Sequence, residues 1–61
     1  MTDANIYRII DAFREGKKVV MNNERLNYPR PAGTMYLLLI YLHHCIWHEQ
    51  RWFIDGVEVK E

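Results

Sequence analysis

Five neighbouring residues carry side chains able to bind a metal or move a proton: His43, His44, Cys45, His48 and Glu49. On a helix His44 and His48 stand four residues apart on one face, near enough to share an ion, with Cys45 beside them. A closed structural zinc site takes four ligands, usually as two pairs from separate elements, and the chain has no other histidine or cysteine. Only a site shared by two copies would close, so no metal and no other cofactor is expected. As a nucleophile Cys45 lacks an aligned base in His44, because adjacent helical residues point in different directions; His48 at three residues' distance faces it better. A thiol within an apolar helix is usually inert, however. Gly16, Gly33 and Gly56 are isolated, so no phosphate-cradling loop exists, and no carboxylate pair falls in a cleft-forming segment. The expectation is a protein that is not an enzyme.

The element that must position this cluster is the segment 34–47, T-M-Y-L-L-L-I-Y-L-H-H-C-I-W, the most apolar stretch of the chain. Residues 35–42 are apolar or aromatic throughout, so a helix here is hydrophobic on every side and is expected to be buried all round. Leucine content and length favour helix over strand, from Thr34 or Met35 to about His48. Pro29, Pro31 and Gly33 break any earlier element, and the Thr34 hydroxyl is placed to cap the first turn.

The remaining elements follow from shorter patterns. Ile6, Ile9, Ile10 and Phe13 recur at helical spacing and define an N-terminal amphipathic helix over residues 3–15, with Asp3 or Thr2 as its cap and Gly16 as its stop. Val19-Val20-Met21, the pair Asn22-Asn23, and the alternation through Leu26 and Tyr28 read as a short β-hairpin turning at the asparagines. Residues 28–33 are an extended linker. Asp55-Gly56 between Ile54 and Val57 marks a second, C-terminal hairpin with a type I′ turn, Trp52 and Ile54 on one side of the strand and Phe53 on the other. The expected fold is a small α+β single domain over residues 1–61. The rival arrangement is a winged one in which residues 17–27 are helical.

A chain of 61 residues buries only about 60% of the surface its unfolded form exposes, so it needs a further source of stability. With one cysteine, Cys45, no internal disulfide supplies it. That single thiol, and the absence of a basic-then-apolar leader after Met1, suggest a cytoplasmic protein. The thirteen residues 35–47 would span roughly 20 Å as a helix, too short for a hydrocarbon core of roughly 30 Å, so no membrane span is expected. The remaining support is a second chain.

Net charge is zero with neutral histidines, but unevenly spread. Residues 16–33 carry Lys17, Lys18, Arg25 and Arg30 against Glu24 alone, whereas residues 34–61 carry Arg51 and Lys60 against Glu49, Asp55, Glu58 and Glu61. A nucleic-acid-binding regulator would use Lys17, Lys18, Arg25, Tyr28 and Arg30 of this basic segment. Against it, the central helix has no arginine, asparagine or glutamine in residues 37–42 to read base edges. The favoured expectation is a protein-binding module, an inhibitor or adaptor of a larger protein acting as a homodimer. Its anchors are expected among Tyr41, Trp47, Trp52 and Phe53, since aromatic side chains dominate interface energetics.

Overall fold

The computed structural model describes residues 2–23, 28–44 and 50–60, with Tyr28 and His44 by their backbone alone. Helix α1 spans Asp3–Arg14, strands β1 and β2 span Val19–Asn23 and Tyr28–Pro31, helix α2 spans Met35–His44, and strands β3 and β4 span Gln50–Ile54 and Val57–Glu58. The strands form one antiparallel sheet in the order β2-β1-β3-β4. The α+β class expected from the sequence is therefore the observed one.

α1 starts and stops by local chemistry. The Thr2 hydroxyl accepts a hydrogen bond from the Asn5 N–H at 3.3 Å, satisfying one of the donors the first turn leaves open. At the other end Gly16 adopts φ +84°, the Gly16 N–H donates to the Phe13 carbonyl and the Lys17 N–H to the Ala12 carbonyl. This is the paired return of a Schellman stop, and the left-handed glycine makes it inexpensive. Ile9 is fully buried, and Ile6, Ile10 and Phe13 pack against the same core, so the helical stripe faces inward as expected.

β1 and β3 are where the two hairpins join. Val19 lies opposite Ile54 and Met21 opposite Trp52, which puts all four on one face of the sheet, because paired residues share a side and neighbours alternate. β2 and β3 each run antiparallel to the intervening β1 and hence parallel to one another, so α2 is the crossover of a split βαβ unit. Leu38 and Leu42 of α2 and Ile9 and Ala12 of α1 meet Val19, Met21 and Trp52 in one cluster. Both helices thus cover the same face of the sheet. Trp52 is its largest member, only 1% exposed. An aromatic side chain buries about 150–250 Å², worth about 4–6 kcal/mol at 25 cal/mol per Å². That exceeds the roughly 1–3 kcal/mol cost of its enclosed indole N–H, which has no acceptor among the described residues.

Three expectations are corrected by this architecture. Asn22 and Asn23 do not form the first turn: they are strand residues of β1, opposite Pro29 and Tyr28 on one side and Arg51 and Gln50 on the other. Pairing on both flanks favours extension over a two-residue turn; the connection falls within residues 24–27, outside the described residues. The linker 28–33 contains strand β2, tolerated despite Pro29 and Pro31 because it is an edge, where a missing N–H on the outer side costs no ladder bond. β1 also excludes the winged alternative with residues 17–27 helical.

The second hairpin matches its expectation. Asp55 at φ 50° and Gly56 at φ 84° make the left-handed pair of a type I′ turn. The Asp55 carboxylate accepts from the Lys18 N–H at 2.9 Å, and the Asp55 N–H donates to the Lys18 carbonyl at 2.8 Å. The turn is thereby tied to the entry of β1.

Candidate functional site

Ten consecutive residues without a formal charge make α2, and its N-terminus is fixed as the sequence implies. The Thr34 hydroxyl accepts from the Leu37 N–H at 3.1 Å, and the Thr34 carbonyl accepts from the Leu38 N–H at 3.0 Å. The expectation of burial on all sides holds for one side only. Leu38 and Leu42 are buried, with Met35 and Tyr41 packed against the core, a stripe at 35, 38, 41 and 42 that faces the sheet and α1. The opposite stripe is the more open one. Tyr36 is 74% exposed and Leu39 50%, Ile40 is half-buried and His43 exposed. The reason is topological: a four-stranded sheet and a single second helix on the same side of it can cover only one flank of α2.

Tyr36, Leu39, Ile40 and His43 stand at i, i+3, i+4 and i+7, the spacing with which an amphipathic helix presents anchors to a groove or to another helix. The helix is therefore apolar twice, once for its own core and once outward. Adjacent elements contribute a shallow cleft of about 380 Å³ lined by Pro29, Arg30, Pro31 and Tyr41. A second cleft, of about 470 Å³, lies between α1 and the C-terminal hairpin, with Tyr7, Ile54, Val57 and Val59 beside Arg8, Asp11, Glu15 and Lys17. Its charges are mixed, and the Lys17 ammonium lies 3.3 Å from the Glu15 carboxylate.

The anchors expected from the sequence fall in different places. Trp52 is core and faces no partner, a correction with a simple cause: its alternation with Phe53 places it on the helix-covered side of the sheet. Phe53 is half-buried on the other side of the sheet, where the Arg51 guanidinium sits 5.7 Å from its ring centre. Arg51 is held there by a two-point bond to Glu58, at 2.7 and 2.8 Å, so that ring is capped. Hydrogen bonding from Arg51 holds the Glu58 carboxyl below its usual 4.5. Tyr41 is half-buried against the core, and Trp47 lies outside the described residues.

Of the basic set, Lys18 is exposed at the start of β1 and Arg30 is exposed on the β2 edge. Lys17 is paired as above, Tyr28 enters β2 through its backbone, and Arg25 lies outside the described residues. The metal-ligand cluster cannot be placed either: Cys45, His48, Glu49 and the His44 side chain lie outside the described residues, and no group of three ligands gathers among the described ones. No described helix is long and apolar enough to cross a membrane.

What the sequence reading missed is Tyr36, Leu39 and Ile40. Their signal was present in the uniform hydrophobicity of residues 35–42, but choosing the outward stripe required knowing that 38 and 42 point to β1 and β3. Compared with known families, with curated proteins and with solved structures, the chain has no significant match in any of the three.

Proposed function

We propose that this protein is a non-enzymatic protein-binding module that docks through the outer face of α2, acting as an inhibitor or adaptor of a larger protein. One observation carries the reading: Tyr36 and Leu39 stand largely in solvent on a helix without a charged residue. Scattered single apolar residues on a surface need no explanation, whereas a contiguous aromatic and aliphatic stripe marks an interaction site. Tyr36 supplies the aromatic anchor that interface hot spots favour, and Leu39 and Ile40 supply the apolar centre. Tyr41 and the Pro29–Pro31 cleft would form the rim. The alternative, a nucleic-acid-binding regulator, would use the exposed cations of the basic segment, of which Lys17 and Lys18 precede β1 and Arg30 lines the rim cleft beside Tyr41.

The test is capture from a lysate by the tagged protein and by its Leu39→Asp and Lys17→Glu/Lys18→Glu variants, read by quantitative mass spectrometry. Protein partners retained by the double charge variant and reduced at least tenfold by Leu39→Asp support the reading. Nuclease-sensitive capture lost only in the double charge variant would replace it with the nucleic-acid one.

A further inference from the structure

Both prolines of the chain stand in β2, and the register shows which way they face. The Ala32 N–H donates to the Val19 carbonyl at 2.9 Å, so Val19 turns its backbone groups towards β2. Because these groups alternate along a strand, Met21 and Asn23 face β2 as well, and their partners Arg30 and Tyr28 face back to β1. Pro29 and Pro31, opposite Asn22 and Val20, are then the two residues of β2 whose backbone is directed away from the sheet. Neither has an N–H. The outer edge of β2 therefore offers carbonyls and no donor, and an added strand would find only half of a ladder there.

The other edge is limited by different means. The Val59 N–H donates to the Trp52 carbonyl at 2.8 Å, so within β4 only Glu58 is directed outward. The next outward carbonyl, that of Lys60, accepts from the Asn5 side-chain amide at 3.4 Å, and Asn5 is itself buried. One outward residue supports no ladder. β2 is four residues long, exposed at Pro29, Arg30 and Pro31, and lies beside the strand-favouring Val19-Val20-Met21 of β1. It is the edge that needs a guard.

We infer that Pro29 and Pro31 act together as an edge guard: by removing every outward donor of β2 they keep the sheet from being extended by a strand of another chain. An unpaired row of N–H and C=O groups is a template for association, and the two pyrrolidine rings remove half of that row without disturbing the bonds to β1. The guard does not depend on α2 being the docking face, but it bears on how a partner is held. The rim at Pro29, Pro31 and Tyr41 can be met by side chains and not by an added strand. A protein docking beside α2 is therefore held by packing rather than by backbone pairing.

The test restores the donors. In Pro29→Thr/Pro31→Thr a polar, strand-favouring residue returns an N–H at each outward position. At about 100 µM, within the range where open strand edges associate, sedimentation equilibrium should give the double variant a larger weight-average mass than wild type. Hydrogen exchange of the amides at positions 29 and 31 should slow at least about tenfold between dilute and concentrated protein. Each single variant, which returns one donor, should associate more weakly. The control is the same double variant made by chemical synthesis with both threonines N-methylated, which keeps the side chains and removes the donors; it should return to the wild-type mass. Equal masses for the double variant and wild type, at matching circular dichroism, would overturn the guard. Association of the N-methylated chain to the same extent would overturn it too, because the side chains and not the donors would then be responsible. Should the double variant not fold, the two single variants are judged by the same criteria.

Discussion

Leu38 and Leu39 are chemically identical neighbours on α2, yet one is fully buried and the other is 50% exposed. Truncating Leu38 to alanine removes side-chain atoms from the core cluster that also holds Ile9, Val19, Met21 and Trp52. It should cost about 2–5 kcal/mol, the transfer loss plus the cavity left behind. A domain of this size holds only about 3–5 kcal/mol in all, so Leu38→Ala should lose a large part of that margin. Leu39→Ala leaves the core intact, and alanine is the better helix former, so its folding free energy should stay within about 0.5 kcal/mol of wild type. Urea titrations followed by circular dichroism measure both. Equal losses, or a larger loss at Leu39, would show that α2 is rotated about its axis relative to the description above.

Other perturbations probe the same frame. Trp52→Ala should abolish cooperative unfolding, because a loss of about 3–5 kcal/mol equals the whole stability of so small a domain; near-ultraviolet circular dichroism reads it. Thr34→Ala should cost about 1 kcal/mol by unpairing the α2 cap, visible as a lower urea midpoint at constant m, whereas Thr34→Ser should restore it. Gly56→Ala should cost about 1–2 kcal/mol and so lower the same midpoint, since φ is 84° there and a Cβ is disfavoured in that region. Glu58 has a carboxyl pKa lowered by its bonds to Arg51, so its contribution is present above 4.5 and fades as pH falls through its folded value. The stability difference between wild type and Glu58→Gln should therefore narrow below pH 4.5 and be insensitive to pH between 6 and 7.

Much of the fold was legible because it rests on local signals. The α1 stripe, the Gly16 stop, the Thr34 cap and the Asp55-Gly56 turn each depend on a few adjacent residues, and each stands where the spacing placed it. What was not legible depends on contacts distant in sequence. Asn22 and Asn23 suit a turn until β3 arrives on one flank and β2 on the other. Pro29 and Pro31 look like a linker until β2 is known to be an edge. The four aromatic anchors could not be divided, since Trp52 and Phe53 swap roles if the sheet is covered on the other side. In α2 hydrophobicity without periodicity hid which stripe faces in, so the site emerged only once the sheet was in place.

The central claim is that α2 carries a second apolar face that is open in the isolated chain and closed by a protein partner. Hydroxyl-radical footprinting of Tyr36 and Leu39 tests it most directly, with purified protein at about 5 µM compared with the same tagged protein recovered in native complexes. Both residues should be oxidised readily in the dilute protein and protected at least fivefold in the complexes, while exposed Tyr7 on α1 reacts equally in the two. Tyr36 and Leu39 equally reactive in both states, or protected already in the dilute monomer, would contradict the account.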